Sequence, residues 1–453
     1  MIPKKLTIAA LALLLTSTSA FADDIATQKQ LAALQQQIKQ LQEQLNLLQR
    51  KQEVAEEITA GNNQKFATVE FSNKGLNIQS PDKQYALKIK GYVQADTRKY
   101  IDDASNNGDT SLIRGARPTF DLKLPNGFSA RLTTDFGGTS VKLVDAYTDW
   151  KARDELTLRA GKFKAPLGLE KWQSDTEGLF IERGLPANFT TSRDIGFGAY
   201  GELVPAVLEY QLALTDGGAE GADITGDTSG GKDFTGRIFA QPFKNSDIPA
   251  LQGVGIGFAG SVGQRDGTTT NTELTTGYKT TGQNNFFTYS TGTFGNGKAT
   301  KINPQAWYYN GPLSVLAEYL SSEVDVRNGA TNGSLKHDAY STVLTYVLTG
   351  EDAAFDGVKP SADFSLDKGT WGAFELAGRI GALDIDDAAF GTFASIATSA
   401  TSVDEKVFGL NWYLSQNLKI QLDYAHNSFE GGAAGGLDRP DEKVVLARVQ
   451  FKF

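Results

Sequence analysis

The chain has 453 residues, 40% of them hydrophobic, with 48 glycines, 26 phenylalanines and 15 tyrosines, and a formal net charge of −9. It has no cysteine, which excludes disulfides and thiolate metal sites. With His337 and His426 as its only histidines, an imidazole metal centre or a Ser/His/Asp triad has little to draw on, so neither a cofactor nor an enzyme is expected. The acidic balance argues against nucleic acid as a partner.

Residues 1–22 carry the marks of an export signal: Lys4 and Lys5, the apolar run Leu6–Leu15, then Ala20-Phe21-Ala22. Cleavage after Ala22 would leave 42 basic against 53 acidic residues, a balance of −11. No later stretch has the roughly 18–20 apolar residues of a transmembrane helix.

The segment 23–60 is a different material. Leu31, Leu34, Ile38, Leu41, Leu45 and Leu48 alternate spacings of three and four, with Gln, Lys and Glu between them and no Gly or Pro from Ile25 to Ala60. This is the a/d seam of a coiled coil of about three heptads. The alternative is one amphipathic helix lying on its own barrel, though an a/d stripe is narrow for that. Gly61-Asn62-Asn63 ends it, and 61–83 reads as a linker.

From 84 to 453 the period is two. Tyr85, Leu87, Ile89, Val93 and Ala95 alternate with Lys88, Lys90, Tyr92, Gln94 and Asp96, as a strand between lipid and water requires. Such segments recur at 84–100, 110–124, 127–137, 140–151, 155–164, 194–203, 206–215 and 233–242. They continue at 252–265, 303–310, 312–327, 337–350, 371–385, 403–415, 417–429 and 441–453. The fold expected is therefore all-β and transmembrane: a sixteen-stranded antiparallel outer-membrane β-barrel. Short turns such as Pro125-Asn126-Gly127 and Asn310-Gly311-Pro312 alternate with long loops such as 165–193 and 266–302. Short turns face the periplasm in such barrels and an even strand count keeps both termini there, so the coiled-coil helix is expected in the periplasm. The barrel itself should contact outer-membrane lipid and lipopolysaccharide. Residues 351–369 are too long for a periplasmic turn, and the sequence gives no reason for them. A soluble β-sandwich would also alternate, but sixteen such segments call for a covering sheet's worth of extra apolar residues.

Little here suggests catalysis. Gly253–Gly257 superficially resembles a phosphate loop, but it alternates within a strand and reads as small residues facing a crowded lumen. Asp384, Asp386 and Asp387 lack the glycine and closing glutamate of an EF-hand and read as solvated. Strand phasing is more informative. It turns Lys88, Lys90, Arg98, Arg117, Lys123, Arg131, Arg159, Arg265, Arg379, Lys419, Arg448 and Lys452 inward. With them come the acids Asp96, Asp121, Asp135, Asp145, Asp149, Glu375 and Asp423. A basic lining would attract anions. Cross-strand pairing of these charges, leaving no net field, is the alternative.

Several segments together resemble the phosphate-selective porin O and P family. They are Gly161-Lys162-Phe163-Lys164 with Leu167–Lys171, Asp233–Pro242, Gly372–Arg379, Gly409–Tyr413 and the final strand ending at Phe453. The resemblance runs from about Tyr85 to Phe453. It implies a homotrimer of sixteen-stranded porins passing small anions such as phosphate, with the third outer loop folded inward to narrow each pore. It places Lys171 at that constriction and matches Arg114 to the first member of an arginine pair just after the first loop. Three positions depart from the pattern: Gly115 for the second arginine, Tyr92 for a base on the first strand and Ser129 for a second constriction lysine. Lys90 and Arg131 lie two positions from the last two and on the same face. The residues expected to line the pore are thus Lys171, Arg114, Arg131, Lys90, Arg117 and Arg159. The function expected is passive diffusion of small solutes, anions preferred, with phosphate or pyrophosphate among them. A structural or adhesin-type barrel, tethering the envelope through its coiled coil, is the alternative.

Overall fold

The computed structural model describes residues 24–63, 66–101, 108–226 and 230–453. Residues 1–22, read above as an export signal, lie outside the described residues. The chain divides into two compact units, Met1–Ala67 and Thr68–Phe453.

The first unit holds one helix, α1, Asp24–Asn63, 40 residues long. Straight-chain Gln, Leu, Lys and Glu lose little rotamer freedom in a helix, and nothing inside the seam breaks it. Its apolar stripe is uncovered: Leu34, Ile38, Leu41, Leu45 and Leu48 are all exposed.

The second unit is a closed antiparallel barrel of sixteen strands. The first eight are β1 Ala86–Tyr100, β2 Thr110–Lys123, β3 Phe128–Asp135, β4 Lys142–Arg153, β5 Leu156–Phe163, β6 Asp194–Val204, β7 Leu208–Thr215 and β8 Asp233–Ala240. The rest are β9 Val254–Asp266, β10 Thr293–Asn310, β11 Leu313–Asn328, β12 Thr331–Val347, β13 Ala373–Asp384, β14 Ala400–Tyr413, β15 Leu418–Gly431 and β16 Glu442–Lys452. Each pairs with its sequence neighbours. β16 closes the ring on β1, in register from Val444 opposite Tyr100 to Lys452 opposite Tyr92. Closure leaves no sheet edge, the condition for strands to cross lipid. The segment read as a linker carries a hairpin, Thr68–Ser72 with Gly75–Gln79, whose second strand adds to the start of β1.

Burial is inverted relative to a water-soluble protein. Phe197, Phe408, Ile256, Leu344 and Ile380 point outward and are exposed, while Arg379, Asn411, Gln421 and Asp423 are buried inside. Only lipid makes such an exterior favourable. Aromatic pairs stand near the short-turn end: Phe128 stacks on Trp150 at 6.0 Å, and Phe374 on Trp412 at 5.4 Å. They suit the aromatic girdle of a bilayer interface.

Gly255 and Gly257 face a crowded lumen, as expected: a Cβ there would meet the Trp307 indole at 2.1 Å and the Phe239 ring at 2.4 Å. One side of the lumen, toward the long-loop end, is filled. Loop 267–292 supplies Tyr278, Phe286 and Phe287, which pack with Phe189 of loop 164–193 and Phe393 of loop 385–399. At the other end, turn 348–372 folds back with Ala353 and Val358 buried against Val347 and Tyr413, and Phe355 against Trp307 at 4.8 Å. That accounts for the length of a turn the sequence left unexplained.

Candidate functional site

Loop 164–193 leaves β5, crosses the lumen and returns to β6. Leu169, Leu179, Phe180 and Ile181 of the loop are buried with Leu316, Val343, Ala377 and Val407 of the wall. Polar wall side chains also hold its backbone. Leu169 and Glu170 donate their N–H groups to the two carboxylate oxygens of Glu318 on β11, at 2.7 and 3.2 Å, at the start of a short helix, α2, Leu169–Trp172. Gly168 N–H reaches Asn303 Oδ1 at 2.9 Å. Further on, Ile181 N–H donates to Asp423 at 2.7 Å, Asn411 Nδ2 donates to the Leu179 carbonyl, and Lys419 Nζ donates to the carbonyls of Thr176 and Gly178. Gln173 Nε2 donates to the Phe355 carbonyl at 2.7 Å, so turn 348–372 supports the loop from the short-turn end.

Two of the loop's acids, Glu182 and Asp175, meet arginines of β1 and β2. Glu182 accepts from Arg98 at 2.8 Å and Arg114 at 3.1 Å. Burial alone would raise its carboxyl pKa, but these guanidinium groups and Arg448 hold it down at about 2. Asp175 pairs with Arg117 and Arg183, with Arg193 at 3.9 Å and the Tyr92 hydroxyl at 3.4 Å. Tyr92 fits there because position 115 is glycine: a Cβ on Gly115 would stand 3.0 Å from the phenol ring.

Two cavities remain between loop and wall. The smaller, about 150 Å³, is lined by Arg114, Arg117, Lys171, Arg183, Arg193 and Arg448, with Glu170, Asp175 and Glu182 as its acids. The larger, about 680 Å³, opens among Lys88, Lys90, Arg117, Arg131, Arg159 and Lys452, with Asp145, Asp175 and Asp356 as its acids. The two share Tyr92, Arg117, Ser174, Asp175 and Arg193. Of the six residues expected to line the pore, Lys171, Arg114 and Arg117 therefore meet at the smaller cavity. Arg131, Lys90, Arg117 and Arg159 meet at the larger.

On the wall, cross-strand pairing prevails. Arg448 forms a bidentate pair with Asp96 at 2.7 Å and Arg159 with Asp149 at 2.7 and 2.8 Å. Arg131 and Lys90 share Asp121 at 2.6 and 2.8 Å. The smaller cavity is lined by six bases against three acids: the loop contributes Lys171, Arg183 and Arg193 along with Glu170, Asp175 and Glu182, and the wall adds Arg114, Arg117 and Arg448. Lys171 is half-buried, and among the described residues no carboxylate lies within ion-pair distance of it. Burial, with Arg183 and Arg193 nearby, pushes its ammonium down to about 7; burial pushes Lys164 down as well.

Arg183, Arg193 and Asp175 escaped the sequence reading because a loop has no phase to place its side chains. Arg237 on β8, buried in the lumen and paired with Glu209 at 2.5 Å, was within reach of the strand alternation and was missed.

Residues 87–453 match the family described as phosphate-selective porin O and P. Porin O of Pseudomonas aeruginosa is 24% identical over 385 residues, which span 77% of this chain and 84% of that one. The outer membrane channel DcaP of Acinetobacter baumannii has a TM-score of 0.53 at 11% identity, covering 82% of this chain and 97% of its own. The trimer form of OmpT from Vibrio cholerae gives 0.52 at 10% identity, with 82% and 99% covered. At such identities the solved structures speak for the fold alone. The family match, the closed barrel and the polar lumen together establish that this chain belongs to the phosphate-selective porin O and P family and forms an outer-membrane channel for passive diffusion.

Proposed function

We propose that this channel prefers anions, that phosphate or pyrophosphate is among its solutes, and that Lys171, Arg114 and Arg117 form its narrowest charged passage. The observation that carries the proposal is the excess of bases over acids lining the smaller cavity, with no carboxylate partner for Lys171 among the described residues. In a narrow, poorly screened passage a fixed positive charge lowers the energy of an anion and raises that of a cation. Lys90, Arg131 and Arg159 line the wider space toward the short turns and supply the approach. Their carboxylate partners reduce this field, so the preference should be set at the smaller cavity.

The proposal includes a homotrimer with α1 in the periplasm. Its support is the exposed heptad stripe of Leu34, Ile38, Leu41, Leu45 and Leu48, an apolar seam that self-association would bury. The OmpT form similar in fold is a trimer. Single-channel recording of the purified protein, with reversal potentials in a KCl gradient, tests the channel reading. A barrel serving only as a structural tether would give no conductance.

A further inference from the structure

Asp175 differs from the other lumenal acids in what surrounds it. Asp149 and Asp96 each serve chiefly to fix one wall arginine. Asp175 instead sits where the two cavities meet, with Arg117 on one carboxylate oxygen, Arg183 on the other, Arg193 at 3.9 Å and the Tyr92 hydroxyl at 3.4 Å. Burial would raise its carboxyl, but Arg183, Lys164, Arg193 and Arg117 hold it well below the usual carboxylate range. Guanidinium forks converging with a hydroxyl are the donor set that recognises an oxyanion such as phosphate.

The carboxylate is not the loop's only hold on the wall. The Asp175 backbone carbonyl accepts from Gln94 Nε2 at 3.0 Å. Upstream and downstream, Glu318, Asn411, Lys419 and Asp423 hold the chain without it.

We propose that Asp175 is a tethered occupant of the channel's anion site: its carboxylate competes with passing oxyanions for Arg117, Arg183 and Arg193. The inference rests on the anion-preferring reading above. A conducting site must bind well enough to admit an ion and weakly enough to release it. Without this carboxylate Arg183 would have no acid partner among the described residues, while Arg117 and Arg193 would keep Asp135 and Asp145 at 2.6 and 3.1 Å; such a site would hold phosphate longer, and sharing it with Asp175 returns phosphate to the stream.

The test compares wild type with Asp175→Asn and Asp175→Ser as full-length, detergent-purified protein in planar bilayers. Chloride current is titrated with inorganic phosphate. Both variants should be blocked at phosphate concentrations at least about tenfold lower than wild type, with chloride conductance reduced, because ions dwell longer. Unchanged or weaker block, or a rise in conductance with loss of selectivity, would show a merely structural carboxylate and overturn the proposal. So would failure of both variants to fold as heat-modifiable barrels. The two readings fail separately. Anion-selective wild type with no tighter block in the variants sinks the tethered-anion proposal alone. Non-selective wild type with tightly blocked variants sinks the anion-preferring reading and leaves Asp175 as the reason.

Discussion

Replacing Lys171 with glutamate reverses charge at the one base of the smaller cavity that has no carboxylate partner among the described residues. The lining would change from six bases against three acids to five against four. For an ion about 7 Å away at an effective dielectric near 20, one unit charge is worth roughly 2 kcal/mol. The substitution changes two units, and salt with a Debye length of about 10 Å at 0.1 M removes much of the total. If roughly 1–3 kcal/mol survives in the difference between anion and cation, their permeability ratio falls about five- to 150-fold. The assay is the zero-current potential across a KCl gradient, measured near pH 6 so that wild-type Lys171 carries its proton. It should shift toward the cation side, and phosphate block of chloride current should disappear. The same substitution at Lys29, on α1, should change neither. An unaltered reversal potential in Lys171→Glu would remove Lys171 from the permeation path even though the protein remained a porin.

Because burial, Arg183 and Arg193 lower the Lys171 ammonium to about 7, its charge is present below that pH and lost above it. Anion preference should therefore decline between about pH 6 and pH 8 in wild type, and stay flat in Lys171→Arg, whose guanidinium does not titrate there. Glu318→Ala removes the acceptor for the N–H groups of Leu169 and Glu170, leaving buried donors worth about 1–3 kcal/mol unsatisfied. The loop should loosen, with larger and noisier single-channel conductance and weaker selectivity; wild-type traces would refute the anchoring role. Deleting 23–60 should leave an inserted, heat-modifiable, conducting barrel whose trimers dissociate at lower temperature, as read on unboiled gels. Loss of insertion would make the helix part of the barrel fold.

All sixteen strands were legible because lipid on one face and water on the other force a period of two. The reading was least accurate where that contrast ends. β10 begins at Thr293, ten residues before the segment read as 303–310, and β12 at Thr331 rather than 337. Those ends lie toward the long loops, where Phe286, Phe287 and Phe393 pack against the inner wall and the polar-inside alternation breaks down. The hairpin at 68–79 alternates as well, Val69 and Phe71, then Leu76 and Ile78, standing between polar residues, but with two apolar residues per strand it was missed within the segment read as a linker. At the site, phasing placed Lys90, Arg117, Arg131 and Arg159 on the wall but could not show that Asp121, Asp135 and Asp149 neutralise them. Lys171 and Arg114 came from the family resemblance. The partners that gather around Asp175 depend on a loop folding back across the lumen, held by Glu318 and Asp423 from strands well over a hundred residues further along the chain.

The central claim is that the excess of bases over acids lining the smaller cavity, where loop 164–193 meets the wall, makes this channel prefer anions. The most direct measurement is the reversal potential of wild-type protein in a planar bilayer across a tenfold KCl gradient near pH 6, before and after phosphate is added. The account predicts a potential of the sign set by chloride and a chloride current that falls as phosphate binds. A potential at zero or of the potassium sign, with current indifferent to phosphate, would contradict it.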